Sequence, residues 1–252
     1  MTPFNALTTT RYGRMIYHIH DLYISQALQL YGEWSPGEMA LYRHLLEPGD
    51  VVVEAGANIG ALTVPIAQCL GAEGQIYAFE PQQLTYQVLC GNLALNSIKN
   101  TAAFNLALGA EAGLTHVPRI DLGRDGNFGA LALEPDGPPN MNVVTVDFYE
   151  FPRVDLMKLD VEGMEHDILL GSEATVARCR PVIVLELERK EVVSQTIDWL
   201  VDHAYTLYAH YPPLAADKKA WPGTVSFNAL AVPAEQPQPT KRNLKAFNLL
   251  VL

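Results

Sequence analysis

Five polar residues stand where apolar, strand-like runs give out. They are Glu54 after Val51-Val52-Val53, Glu80 after Gln75-Ile76-Tyr77-Ala78-Phe79, Asn105 in the run that begins at Thr101, Asp160 after Leu156-Met157-Lys158-Leu159, and Glu186 after Val182-Ile183-Val184-Leu185. One such group alone is more often a helix cap or a solvated loop residue. Five at successive strand ends point to one crevice, because open α/β sheets bind ligands outside the carboxyl ends of their strands. The first acid opens a glycine-spaced turn, Glu54-Ala55-Gly56-Ala57-Asn58-Ile59-Gly60. Gly56 and Gly60 let the backbone turn sharply and lie close to a ligand, and the helix that follows aims its free N–H groups at the same place. The order is acid-x-Gly-x-x-x-Gly, not the Gly-x-Gly-x-x-Gly of nicotinamide and flavin sites. An acid here repels a pyrophosphate and suits an ammonium group, so S-adenosylmethionine is the expected cofactor. Glu80 follows Gly60 at the interval that brings a strand-end acid to ribose hydroxyls, and is expected to accept from both. Asn105, Leu106 and Ala107 at the next strand end would flank the adenine.

The elements that must hold these groups alternate. Three β-branched residues in a row at 51–53 read as a strand buried on both faces. Helices are expected over 62–70 and 83–95, with Pro65 tolerated in the first turn of the former. A strand over 101–108 follows, then strands ending at Asp160 and Glu186, a helix from Gly163 through about 177, and a helix over 192–201. Extended pieces at 205–208 and 224–232 complete the pattern. Strands alternating with helices mean an α/β, doubly wound, Rossmann-like sheet. Residues 1–48 are read as an N-terminal helical leader and possible lid, 49–233 as the cofactor-binding domain, and 234–252 as a C-terminal tail. In the leader, a strand is expected near 14–19 and a helix over 22–30. A second helix should start at Ser35-Pro36-Gly37-Glu38, with Ser35 as N-cap and Glu38 completing a capping box. Residues 111–142 break the alternation and are read as a hairpin-like insertion at the site's open edge, with extended pieces at 114–117 and 128–133 and a loop at Pro135-Asp136-Gly137-Pro138-Pro139. The apolar end at 244–252 is expected to pack back on the domain or on a partner subunit, so an oligomer is compatible with the sequence.

Composition narrows the partners. A net charge of -11 over 252 residues is a poor match for nucleic acid, whose binding rests on Lys and Arg. Cys69, Cys90 and Cys179 lie far apart with no CxxC spacing, as expected of reduced thiols in a cytoplasmic protein. No apolar run reaches the roughly 18 residues of a spanning helix, and no signal-like N-terminus is visible, so neither a membrane nor export is expected. The expected partner is a small-molecule acceptor.

Glu54-Ala-Gly-Ala-Asn58-Ile-Gly60, Phe79-Glu80-Pro81, Lys158-Leu-Asp160-Val-Glu162-Gly163-Met-Glu165 and Arg180-Pro-Val-Ile-Val-Leu-Glu186 together resemble the FkbM family of class I S-adenosylmethionine methyltransferases. The similarity runs from about Gly32 to Val232. Asn127-Phe128-Gly129 and Ser226-Phe227-Asn228 also resemble family positions, whereas Glu54 stands where many relatives carry aspartate. The resemblance implies the seven-stranded sheet of the class I methyltransferase type. It also implies that Glu54 neutralises the cofactor's amino group, partly through water, and that N–H groups after Gly56 and near Gly60, around Asn58, approach its carboxylate. Asp160 would lie nearest the sulfonium. An alcohol acceptor needs a base, for which Asp160 or Glu162 is expected, with Glu165, His20 and His210 behind them; Glu162 is alternatively the cap of the helix that Gly163 begins. Methylation of a hydroxyl on a sugar or secondary metabolite is expected. The alternatives are methylation of a protein or peptide side-chain amide, or a non-catalytic binding module. Asp160 and Glu186 could flank a divalent ion, but no third ligand is visible and no metal is assigned.

Overall fold

The computed structural model describes residues 3–134, 137–187, 190–212 and 227–251. The chain opens with an antiparallel hairpin of β1 (Asn5–Thr10) and β2 (Gly13–His18), then α1 (Ile24–Tyr31) and α2 (Pro36–Leu45). The alternating part follows as β3 (Val51–Ala55), α3 (Thr63–Leu70), β4 (Gln75–Phe79), α4 (Gln83–Leu95) and β5 (Thr101–Phe104). After β6 (Ala107–Leu108), β7 (Gly113–Thr115) and β8 (Met141–Val144), the alternation resumes with β9 (Leu156–Leu159), α5 (Glu165–Leu170), α6 (Glu173–Cys179) and β10 (Val182–Glu186). Then come α7 (Lys190–Asp202), β11 (Tyr205–His210), β12 (Asn228–Pro233), α8 (Lys241–Ala246) and β13 (Leu249–Val251).

The main sheet runs β13-β11-β12-β10-β9-β3-β4-β5. Its β10, β9, β3, β4 and β5 are parallel, and β12, β11 and β13 antiparallel. The apolar run of β3 explains its place in the middle, since alternate residues must be buried on opposite faces. Val52 packs with Ile76, Leu156 and Val184 beneath α2, α3 and α4, while Val53 packs with Met157, Ile183 and Leu185 against α5, α6 and α7. The chain winds outward through β4 and β5, then returns to β9 on the other side of β3. The switch in strand order therefore falls between β3 and β9, where a crevice opens.

Five details differ from the sequence reading. The leader, read as helical, opens with the β1–β2 hairpin, of which only the strand near 14–19 was expected. The main sheet has eight strands among the described residues, not seven, because the apolar tail adds β13 against β11. The strand expected over 101–108 is two strands, since Asn105 turns back to donate to the Glu80 and Pro81 carbonyls at 2.9 and 3.0 Å and releases Ala107 and Leu108 to pair with β8. The insertion's β7 pairs with β8, not with 128–133, whose residues leave the ladder to face the cavity. The helix expected from Gly163 begins at Glu165 and breaks at Ser172, whose hydroxyl donates to the Ile168 and Leu169 carbonyls. The expected Pro135-Asp136 and the start of the last expected strand, 224–226, lie outside the described residues.

The leader is tied to the sheet through Asn92, which is fully buried on α4. Its Oδ1 accepts from Ile16 N at 2.6 Å, and its Nδ2 donates to the Ile16 and Ile59 carbonyls at 2.9 and 2.8 Å. One side chain thus joins β2 to the glycine turn. Asn92→Ala should lower stability by about 2–3 kcal/mol, because three backbone groups lose their partner at once; urea unfolding measures it. A loss below about 0.5 kcal/mol would show that water replaces these bonds freely.

Candidate functional site

A cavity of about 490 Å³ opens over the carboxyl ends of β3, β4 and β9, a size suited to a nucleoside ligand. Its floor is made by Ala55, Gly56 and Asn58, by Phe79 to Gln82, and by Asp160 to Glu162, with Glu186 at the end of β10. The leader supplies Tyr23, Ile24, Trp34 and Glu38, and the insertion supplies residues 127–131.

The glycine turn is locked from behind. Gly56 has φ 79° and lies so close to β9 that a Cβ there would overlap the Asp160 carbonyl oxygen. Gly60 has φ 84°, and Asn58 takes the left-handed region at φ 50°, which asparagine tolerates better than most residues. The N–H groups of this turn already have protein acceptors: Gly56 and Ala57 donate to Phe79 O, Asn58 to Glu80 Oε2, Ile59 to Asn58 Oδ1 and Gly60 to Ala57 O. The expectation that they reach a ligand carboxylate meets this competition directly.

Of the residues expected around the cofactor, Gly56, Asn58, Glu80, Leu106, Ala107 and Asp160 line the cavity. Glu54, Gly60 and Asn105 do not; Asn105 is occupied in the turn described above. Glu80 is 6% exposed and holds two backbone N–H groups, Asn58 on one oxygen and Gln82 on the other, both at 2.8 Å. Burial raises its pKa to about 7 against the pull of those two N–H groups. Each oxygen keeps a lone pair for a further donor.

Glu54 is 1% exposed, and neither of its oxygens accepts a hydrogen bond. Its counter-charge is Lys158 Nζ at 3.6 Å, which also donates to Asp160 Oδ2 at 3.2 Å and to the Gly56 carbonyl at 3.3 Å. Lys158 is itself 3% exposed. Burial works against its charge, but Asp160, Glu54 and Glu38 outweigh burial and leave its pKa raised. Glu54 is pushed upward by burial, with Lys158 opposing. The sequence reading placed the lysine only within a motif; the structure makes it the charge that lets buried acids coexist.

Among the expected bases, Asp160 and Glu162 both line the cavity, and Glu162 adopts φ 56°. Glu165 instead accepts from Val161 N and Gly163 N at 3.1–3.3 Å and so helps tie down this loop. His210 is buried in β11, and burial lowers its pKa to about 4, which leaves it neutral at pH 7. His20 Nδ1 lies 2.7 Å from Asp125 Oδ1. Neither histidine lines the cavity. Among the described residues, no group of three or more His, Cys, Asp or Glu is placed to hold a metal ion.

Glu38 was missed in this role. Its spacing from Ser35 reads as a capping box, but Ser35 sits at φ 42° and its hydroxyl donates to Glu38 Oε1 at 2.6 Å instead of capping the helix backbone. The capping box does not form, because the glutamate turns into the cavity wall. A carboxylate on the buried face of α2, beside Met39, Leu41 and Tyr42, was the available signal.

The family model of the methyltransferase FkbM domain matches residues 54–207. Methyltransferase sdnD of Sordaria araneosa is 29% identical over 48% of this chain, which spans 59% of that relative's length. The 31-O-demethyl-FK506 methyltransferase FkbM of Streptomyces tacrolimicus is 26% identical, with 68% of this chain and 78% of that protein covered. Among solved structures, methyltransferase FkbM from Methylobacillus flagellatus has a TM-score of 0.53 at 14% identity, covering 75% of this chain and 47% of that one. TYW2 of M. jannaschii, solved in complex with AdoMet, has a TM-score of 0.51 at 14% identity, covering 92% and 86%. The two solved structures share the α/β fold, and the family model spans the glycine turn, Glu80 and the Asp160 loop. The chain belongs to the FkbM family of S-adenosylmethionine-dependent methyltransferases.

Proposed function

We propose that this methyltransferase acts on a hydroxyl of an uncharged small molecule, a sugar or secondary metabolite. The observation that carries this reading is the charge of the cavity wall. Glu38, Glu80, Asp160, Glu162 and Glu186 line it, and none of the described lining residues is Lys, Arg or His. Such a wall repels phosphate and carboxylate acceptors. The relative named for 31-O-demethyl-FK506 supports oxygen as the acceptor atom. An amine acceptor is the second reading, because the same acidic wall favours a cation. Free Cys69, Cys90 and Cys179 support a reducing, cytoplasmic setting.

In this reading Glu80 accepts from the ribose hydroxyls, while Leu106 and Ala107 border the adenine. The cofactor supplies an electrophilic methyl on a sulfonium. Asp160, held by Lys158 at 3.2 Å, faces that sulfonium, and Asp160 or Glu162 takes the acceptor's proton. Holding the acceptor oxygen about 3 Å from the methyl carbon, in line with the breaking bond, supplies much of the acceleration.

Incubation with methyl-labelled cofactor and matched neutral, amino and phosphorylated acceptors tests the reading. Label on neutral alcohols is expected, label on amines alone would select the second reading, and label on phosphorylated acceptors would overturn both. Glu80→Gln should weaken S-adenosylhomocysteine by about tenfold or more, since a charge-assisted acceptor is lost. Ribose donors favour the ionised form of Glu80, so binding expels a proton. Affinity should therefore fall as the pH drops through about 7, and calorimetry on Glu80→Gln should show a flatter dependence.

A further inference from the structure

Glu54, the acid that the sequence assigns to the cofactor's amino group, is off the cavity wall and already matched by Lys158. Glu38 is on the wall. It is 6% exposed, shares the lining with Gly56, Trp34 and Asp160, and is held by the Ser35 hydroxyl at 2.6 Å and by the Asn228 side chain. Among the described residues no Lys, Arg or His forms an ion pair with it, because Lys158 divides its single charge between Glu54 and Asp160. Three carboxylates thus surround one ammonium, and both Glu54 oxygens accept no hydrogen bond. This deficit of positive charge is what a ligand cation would fill.

We propose that Glu38, a residue of the leader helix α2, is the counter-charge for the cofactor's α-amino group. The proposal rests on the methyltransferase reading and adds the leader to the cofactor site. Strand order supports the placement. Glu80 ends β4 on one side of β3, whereas Glu38 lies by Asp160 at the end of β9 and by Asn228 on β12, on the other side. A nucleoside held at Glu80 therefore extends its amino-acid arm toward Glu38. The groups facing Glu38 are Ser35 at the N-cap of its helix and Tyr42 within it, Lys158 and Asp160 on and after β9, and Asn228 on β12, with Glu54 beside Tyr42 and Glu186 at the same edge. Burial, reinforced by Asp160, lifts its pKa to about 7, so an arriving ammonium group displaces a proton. Retention of the cofactor then depends on a docked leader.

The test compares S-adenosylhomocysteine with its deaminated analogue, S-adenosyl-4-thiobutyrate, by calorimetry. The wild type should prefer the amino ligand by about tenfold or more, the scale of a buried charge-assisted contact. Glu38→Gln should reduce that preference to within about twofold and leave the analogue's affinity unchanged. Equal weakening of both ligands, or a fully retained preference, would overturn the proposal. If Glu38→Gln does not fold, Glu38→Asp carries the same comparison: a preference reduced several-fold supports the assignment and an unchanged one removes it. A wild type that binds no S-adenosylhomocysteine would instead sink the methyltransferase reading itself.

Discussion

Lys158→Met is expected to cost about 3–5 kcal/mol of stability and to abolish cofactor binding, because it leaves buried charges without their partner. Methionine matches the length of the lysine stem, so lost packing is small and the effect reports on charge. Lys158 is 3% exposed and stands 3.6 Å from Glu54 and 3.2 Å from Asp160, with Glu38 adding to the field that holds its proton. Without the ammonium, Glu54 keeps its burial and loses the charge that opposed it, so its already raised pKa rises further. A carboxyl whose folded-state pKa is raised contributes stability that is complete below the unfolded value and is lost as pH rises through the folded one. The variant should therefore be least stable at alkaline pH and recover on acidification. Glu54→Gln in the Lys158→Met background should restore a large part of the loss at about pH 8, since the most buried uncompensated charge is gone. Urea unfolding of the wild type, the single and the double variant at about pH 6 and pH 8 gives the comparison. A loss under about 1 kcal/mol would mean that water reaches these charges and that the pair is worth no more than a surface bridge.

What could be read in the sequence follows from what local pattern encodes. The run at 51–53 announced a doubly buried strand, and the acids after apolar runs marked the strand ends, because burial and strand termination both leave their trace in residue type. Glu54 was placed correctly on β3, but its pairing with Lys158 was not foreseen: that partner comes from β9, far along the chain, and register between strands is not written in either strand. Glu38 shows a different limit. Serine followed three residues later by glutamate satisfies a capping box, yet the pattern is silent on whether the glutamate turns back to the helix or away from it. Here the cavity wall takes it. The tail's apolar end indicated that it must be covered, but whether by a helix, a partner or the edge of the sheet was a question of open hydrogen bonds on β11. The piece at 128–133 is apolar like a strand but forms no ladder with β7, although the outer edge of β7 is open, because most of its residues line the cavity instead.

Gly56→Ala should remove cofactor binding and lower the thermal midpoint by the largest margin of any glycine in the turn. Two separable penalties act there. The first is conformational: φ 79° costs a β-carbon-bearing residue about 1–2 kcal/mol. The second is steric and cannot be relieved by a rotamer change, because the obstacle is the backbone carbonyl of Asp160, a residue of the cavity wall. Either β3 parts from β9 at the switch point or the Asp160 loop moves, and each displaces the cavity wall that Gly56 and Asp160 share. Two other glycines serve as graded controls. Gly49 has φ 94° and nothing within 4 Å of the position a β-carbon would take, so Gly49→Ala should show the conformational penalty alone and keep full affinity for S-adenosylhomocysteine. Gly60 has φ 84°, with Leu89 Cδ1 at 2.8 Å, a methyl at the end of a flexible side chain that can shift. Gly60→Ala should fall between the two. The order of loss, Gly56 above Gly60 above Gly49, separates close approach of two strands from backbone freedom as the reason for glycine. If Gly56→Ala ranked with Gly49→Ala, the contact between the turn and the Asp160 carbonyl would carry no weight in the site. The glycine that looked in sequence like an accommodation to the ligand is, in the folded chain, first an accommodation to β9, and the ligand's wall follows from that contact.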